Sequence, residues 1–415
     1  MGPLSETDSI VIVGAGHGGV QLAASLREEG CAERIVLIGD EKEVPYQRPP
    51  LTKAFLKHET PDDGILLRGP DFYIQKKIEL LRGELVTEID RPSRRLKLAS
   101  GSSLSYSRLV LATGGRQRPL PLDGASLDGV FSLRTLAEAH LIRPRLEEAR
   151  DIVIIGAGFI GLEFAAAAVG NGRKVEVVEL AARPMARAVT EPISAFFAQA
   201  HKSFGVNLNF GTSVIAINGR DGKVTDVALT DGRKLPADLV LVGIGLVPSV
   251  ELALACGLDC PNGVRVDGGL ATQDENIFAI GDCALHPNVF AGRELRLESV
   301  QNATDQARVL AKNLTGKAAV YGDVPWFWSD QGDLKLQMAG FLDGCDQTIL
   351  RGTPEEKAFS IFGFKQGRLT GVESVNRPGD HMLARRFLAG PISVTPEQAG
   401  DSSVDLKALL KSPGR

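Results

Sequence analysis

The sequence predicts an α/β protein with two Rossmann-like dinucleotide-binding domains and a C-terminal α+β domain. Three observations predict it. An apolar run at 10–13 leads at once into Gly14-x-Gly16-x-x-Gly19, and then into a stretch with Val20, Leu22, Ala23 and Leu26 at helical spacing. The pattern recurs at 152–161, where Gly156, Gly158 and Gly161 stand between an apolar strand and the helical stretch L-E-F-A-A-A-A. Beyond Pro325 the chain changes character, to alternating strands at 335–341, 358–364 and 369–375, a helix near 380–388 and a polar tail.

In the first unit Gly14 allows a tight turn, Gly16 lets the backbone approach a pyrophosphate, and Gly19 lets helix and strand pack closely. The helix N-terminus offers unpaired N–H groups and a partial positive charge to phosphate. The second strand, 34–39, ends in Asp40 and Glu41, where a ribose hydroxyl needs an acceptor. The prolines of R-P-P-L-T-K (48–53) hold an extended turn, with Thr52 expected to cap a helix starting at Lys53. Half-exposed antiparallel strands are expected at 84–90, 95–99 and 103–106. A buried parallel strand at 108–115 follows, and the Pro-rich stretch 116–124 leads out of the domain.

A helix is expected from 131 to about 150, before the second fingerprint. Strand 174–179 then ends in Glu179, placed to accept from the ribose hydroxyls of a dinucleotide. The nearby Leu180, Ala181 and Ala182 bring no cation, whereas Arg183 and Arg187 stand within swinging reach. A helix at 192–201, alternation over 206–229, a strand at 237–245 ended by Pro248, and a strand and glycine turn at 274–284 complete the unit. An amphipathic helix spans 300–314. The domain division is 1–115 with 246–322, then 116–245, then 323–415.

The 415 residues carry a net charge of −4, with 43% hydrophobic and 24% charged residues, a balance that points to neither nucleic acid nor a membrane as partner. No apolar run approaches the roughly 18 residues of a membrane helix. The first nine residues are polar and lack the pattern of a signal peptide, so the cytoplasm is the expectation. Five cysteines (Cys31, Cys256, Cys260, Cys283, Cys345) form no C-x-x-C and no metal-ligand spacing, and read as unlinked thiols; no metal is expected.

Eight motifs occur in order over nearly the whole chain: G-A-G-x-G-G, R-P-P-L-T-K, L-A-T-G-G-R, G-A-G-F-I-G-L-E, G-I-G-L-V-P, A-I-G-D-C-A, E-S-V-Q-N-A and P-W-F-W-S-D-Q. On these the chain resembles the two-dinucleotide flavoprotein superfamily. Within it, the chain is similar to the NADH-dependent ferredoxin reductases of oxygenase systems, the putidaredoxin reductase group. The resemblance implies a glutathione-reductase-like architecture, FAD on the first fingerprint and NADH on the second. It also implies a monomer or weak dimer that passes single electrons to a 2Fe–2S ferredoxin feeding a haem monooxygenase or a ring-hydroxylating dioxygenase. By the resemblance FAD is lined by Gly14, Ala15, Gly16, Gly18, Gly19, Asp40, Arg48, Lys53, Val86, Ala112, Arg134, Asp282 and Val300, with Asp282 accepting from the ribityl chain. NAD is lined by Gly156, Gly158, Ile160, Gly161, Glu179 and Gly245 in the same reading. Lys53 and Glu163 resemble the lysine–carboxylate pair beside the flavin N5, where a cation favours the anionic reduced flavin. Trp326 and Trp328 are expected at the flavin edge, with Trp328 on the path to the acceptor. Arg308 and Lys407 are the candidate docking cations.

The departures are informative too. Disulfide reductases of the superfamily carry a redox cysteine pair on the first helix, and oxidase relatives a single cysteine near R-P-P-L-T-K; this chain has neither. Electrons are therefore expected to leave for an external acceptor. A rubredoxin reductase or an NADH oxidase shares nearly every motif, and an NADH-sensing signalling flavoprotein resembling apoptosis-inducing factor is the alternative of another class.

Overall fold

In the structure, a computed structural model that describes residues 9–170 and 172–411, the apolar runs become parallel strands buried on both faces. The expectation about a leader falls largely on residues 1–8, outside the described residues. The chain divides into two units. The first takes the chain through Gln47, Pro61–Arg116 and Val247–Pro325; the second takes Arg48–Thr60, Gln117–Leu246 and the chain from Trp326.

The first unit is built on a five-stranded parallel sheet in the order Ile277–Ala279, Arg108–Leu111, Ser9–Val13, Arg34–Gly39, Ile78–Arg82. The first fingerprint strand lies between its sequence successor Arg34–Gly39 and the later strand Arg108–Leu111, which makes it a switch point where such sheets bind ligands. Helix His17–Glu28 leaves this strand and packs along helix Val300–Leu314. Small residues allow the approach: a Cβ added to Gly18 would lie 3.6 Å from that of Ala303. The Ser299 hydroxyl caps the second helix by accepting from the Asn302 N–H at 3.0 Å.

The second unit repeats the plan. Its parallel sheet runs Val206–Phe210, Lys174–Glu179, Asp151–Ile155, Leu239–Val242, Val130–Phe131, with helix Phe159–Ala168 leaving the central strand. An antiparallel sheet in the order Trp326–Gln331, Leu334–Gly340, Arg368–Val375, Ala358–Lys365, Gln347–Thr353 belongs to the same unit and carries helix Pro378–Ala389.

Four local expectations are corrected. No α-helix starts at Lys53: Pro49–Thr52 forms a short 3₁₀ turn, and the Thr52 hydroxyl is turned to Glu163 rather than used as a cap. The helix expected from 131 starts at Leu136, where Thr135 and Glu138 form a reciprocal capping box, after a short strand at Val130–Phe131. Strand Gln347–Thr353 was not foreseen. The polar tail is not a free tail, since Val394, Ala399 and Leu406 are buried in a core with Phe362, Phe364 and Phe387. The buried Arg351 guanidinium holds it, donating to the carbonyls of Ala399, Asp401 and Val404 at 3.2, 2.6 and 3.0 Å.

One buried carboxylate ties strand Arg368–Val375 of the antiparallel sheet to the start of helix Glu191–Phe204. Glu373, 2% exposed, accepts from the Thr190 N–H at 3.0 Å and the Thr190 hydroxyl at 2.5 Å, at the start of helix Glu191–Phe204. Burial pushes its carboxyl up to about 7 from an ordinary 4.5. The native state therefore binds this proton more tightly than the unfolded chain does, so the associated stability is present below pH 4.5 and lost as pH rises through about 7. Glu373→Gln should match the unmodified protein in acid and exceed it at pH 8 by on the order of 2–3 kcal/mol. Urea unfolding across pH checks this, and parallel stability profiles for the two proteins would contradict it.

Candidate functional site: two nucleotide cradles and a buried lysine–carboxylate cluster

Each fingerprint shapes a cradle by the space its glycines leave. Gly14 has φ +113° and Gly156 φ +104°, and a Cβ there would sit 2.1 Å from the Ala112 carbonyl or 2.5 Å from that of Gly243. A Cβ on Gly19 or Gly161 would lie 1.9 or 2.1 Å from the carbonyl of Gly14 or Gly156, so no larger residue lets the helix sit against its strand. Gly16 and Gly158 differ. A Cβ on either meets nothing within 4 Å, and each is the N-cap of its helix without a side-chain capping bond. Both helix starts thus leave open space beside the cap residue, which fits a pyrophosphate at each.

Around the first cradle, Ala15 and Gly18 complete the turn, and Ala112 follows strand Arg108–Leu111 with its N–H donated to Val13. Of the two acids closing the second strand, Glu41 accepts from the Tyr46 hydroxyl while Asp40 is exposed. Asp282 lies half-exposed in the turn Gly281–Cys283, which the fully buried Gln306 steadies by accepting from the Gly281 N–H at 2.7 Å. Val300 is the first residue of its helix and half-buried. Val86 is buried in the unit's apolar core, so its side chain is a packing element. Arg308 is paired with Asp305 at 2.5 Å, which offsets its charge.

In the second unit the Glu179 carboxylate accepts from the N–H of Ala157 and of Ala181, each at 2.8 Å, which aims it beside the second cradle with lone pairs to spare. Arg183 is spent on the carbonyls of Val189 and Ala186, at 3.0 and 2.9 Å. The Arg187 guanidinium reaches toward Gly245. Ile160 is 42% exposed at the helix start, an apolar side chain beside the cradle. Arg48 donates to the Arg134 carbonyl at 2.7 Å.

The same unit brings Lys53 and Glu163 together. The ammonium lies 3.0 Å from Glu163 Oε1 and 3.3 Å from Asp330 Oδ2. Glu163 is 8% exposed and carries two further donors: Thr52 at 2.6 Å on Oε2 and Ser329 at 2.7 Å on Oε1. Burial is the largest influence and raises its carboxyl; Lys53 and the two hydroxyls oppose it. Thr52, Ser329 and Asp330 escape sequence reasoning as contributors. The signal that could have found them is period-two alternation in W-F-W-S-D-Q, which buries polar Ser329 and Gln331 and leaves Trp328 and Asp330 on the partly exposed face.

Trp326 and Trp328 are half-buried on that edge strand, ring centroids 5.5 Å apart. The Arg385 guanidinium caps the Trp326 ring at 4.7 Å. Trp328 and Asp330 line a cavity of about 390 Å³ with Lys335, Gln337, Asn376 and Pro378. Lys407 is exposed on the short helix Leu406–Leu409. All five cysteines are free thiols, and no helix among the described residues is long and apolar enough to cross a membrane.

Residues 8–307 match the pyridine nucleotide-disulphide oxidoreductase family and residues 326–410 the reductase C-terminal family, so the chain is a member of the pyridine nucleotide-disulphide oxidoreductases with a reductase C-terminal domain. It is 49% identical to rhodocoxin reductase of Rhodococcus erythropolis over 97% of this chain and 94% of that protein. Two solved structures superpose with a TM-score of 0.94: a ferredoxin reductase from Rhodopseudomonas palustris and the covalent putidaredoxin reductase–putidaredoxin complex. They are 50% and 41% identical, each over 97% of this chain, and cover 99% and 98% of their own chains.

The geometry separates glycines that the fold needs from glycines that a ligand needs. Gly16→Ala and Gly158→Ala should leave thermal stability within about 1 kcal/mol of the unmodified protein while weakening flavin and NADH binding respectively. Gly19→Ala and Gly161→Ala should destabilise by more than 2 kcal/mol, because backbone must move. Thermal unfolding and nucleotide titration check this; a strongly destabilised Gly16→Ala, or one with unchanged flavin affinity, would count against the cradle.

Proposed function

We propose that the protein is an FAD-dependent NADH:ferredoxin reductase that supplies single electrons to a 2Fe–2S ferredoxin serving an oxygenase. The observation that carries the reading is a chain with two nucleotide cradles and five unlinked thiols. With no cysteine pair to take the electrons, they pass to an external partner. The chemistry of FAD, when bound, is to convert the hydride of NADH into two single electrons.

The chain's own residues bind and orient. The helix start at Gly16 and the turn at Asp282 hold FAD, and the helix start at Gly158 holds NADH. Lys53, fixed by Glu163, supplies positive charge to the flavin as electrons arrive, and Trp328 stands on the face from which they leave. Five cysteines without disulfide partners and the use of NADH support a cytoplasmic location for the reaction. Division into FAD-binding (1–115 and 246–322), NAD-binding (116–245) and C-terminal (323–415) domains accompanies this reading.

Glu179 selects NADH. A 2′-phosphate would bring like charges together and replace a hydroxyl donor by acceptors. At 4 Å and an effective dielectric near 20, unit charges repel by about 4 kcal/mol before screening, and even half of that exceeds the 1.4 kcal/mol of a tenfold preference. kcat/KM for NADH should therefore exceed that for NADPH by more than tenfold, and Glu179→Ala should narrow the gap. Equal efficiency with both nucleotides in the unmodified protein would contradict the role.

The acceptor is tested by reducing the flavin with NADH under anaerobic conditions and mixing it in stopped flow with a 2Fe–2S ferredoxin, rubredoxin or dissolved oxygen. Ferredoxin should reoxidise it fastest. Faster reoxidation by rubredoxin or by oxygen would overturn the assignment.

A further inference from the structure

Donors converge on Glu163 in a single direction, and that direction is set two residues away. Gln331 is fully buried, and its amide nitrogen lies 3.2 Å from Ser329 Oγ and 3.6 Å from the Met185 sulfur. Its oxygen therefore faces His201 Nε2 at 2.8 Å. An amide oxygen only accepts, so the His201 proton sits on Nε2. His201 Nδ1, buried and without a partner, is then the unprotonated nitrogen of a neutral ring, in line with burial lowering this imidazole. Each hydrogen consequently points the same way: His201 donates to Gln331, Gln331 to Ser329, and Ser329 to Glu163. The Ser329 hydroxyl has one hydrogen; its oxygen accepts from Gln331, whose amide offers it no acceptor, and the hydrogen goes to the carboxylate.

We propose that Ser329 is a positioning residue, aligned by Gln331 and His201, that holds Glu163 as an ionised acceptor and thereby fixes the Lys53 ammonium. Ser329 and Lys53 share Oε1, so the hydroxyl sets where the ammonium can sit. Thr52 holds the other oxygen from the chain segment that carries Lys53. Lys53, and through it Asp330, are the charged groups that bear on Glu163 from the 48–60 segment and the Trp326 strand. On the neighbouring strand Lys174–Glu179, Glu176 is bonded to Asn207 and Asn209, and Glu179 to backbone N–H groups. From helix Glu191–Phe204, His201 reaches the carboxylate only through Gln331. Ser329 is thus one of three donors that offset the burial of the charge, and the one with no charge or backbone role of its own.

The inference rests on the reading of Lys53 as the flavin's fixed charge, and its test separates the two. In the oxidised holoenzyme, the protonated-carboxyl stretch of Glu163, assigned by its loss in Glu163→Gln, is followed by difference infrared spectroscopy across pH, alongside the flavin midpoint potential. Ser329→Ala should move the Glu163 titration upward by about one pH unit or more, since a hydrogen bond to a charged acceptor is lost. Ser329→Cys, close in volume and a weaker donor, should move it the same way by less, and serves if the alanine variant folds poorly. Ser329→Thr, which retains the hydroxyl, should restore the unmodified midpoint. An unchanged Glu163 titration in both the alanine and cysteine variants would overturn the proposal. A shifted titration with an unchanged flavin potential would leave the Ser329 assignment standing and remove the role of Lys53 at the flavin.

Discussion

A carboxylate with 8% exposure persists in a protein only where donors surround it, and the donors of Glu163 come from distant parts of the chain. Thr52 and Lys53 belong to the short segment Arg48–Thr60, and Ser329 to the first strand after Pro325. This one requirement draws both segments onto the second fingerprint helix. Arg48–Thr60 groups with the second unit although both of its sequence neighbours belong to the first, and the Arg48 bond to the Arg134 carbonyl and the buried Phe55 ring under Arg143 add to the Glu163 contacts that hold it there. Breaking one partner would leave a buried charge uncompensated, a cost of several kcal/mol in comparable cases, which gives the cluster more weight than a surface ion pair of equal length.

The two cradles obey a different logic. They are steric and local, and the same solution appears twice: one glycine for the turn, one for the close packing, and one that is needed only when a ligand approaches. The units then diverge in the acid that follows. Asp40 is exposed at a strand end, whereas Glu179 is aimed by two backbone N–H groups. A carboxylate held in that way cannot readily turn aside from an added phosphate, which supports the proposed preference for NADH.

Legibility in the sequence followed the range of the interactions. Both fingerprints, the parallel strands and helix Val300–Leu314 were readable because glycine sterics, apolar runs and amphipathic spacing act within a few residues. The joining of Lys53 to Glu163 came only from family resemblance; alternation in W-F-W-S-D-Q marks Ser329 as inward-facing, but nothing local names a partner 166 residues away, nor the one that Thr52 finds 111 residues away. The helix expected at Lys53 failed because the chain turns through Pro49–Thr52 as a short 3₁₀ segment and leaves Lys53 with non-helical backbone, while the Thr52 hydroxyl donates across the fold to Glu163. The tail after residue 390 looked polar because its three buried residues are widely spaced and its anchor, Arg351, lies far upstream.

In the proposed reaction an ammonium fixed by a buried carboxylate supplies the charge that lets the flavin accept electrons from NADH. The most direct test is the flavin midpoint potential of Lys53→Met measured against that of the unmodified protein at neutral pH. The variant should show a lower potential together with slower reduction by NADH. An unchanged potential in a variant that folds and retains its flavin would contradict it.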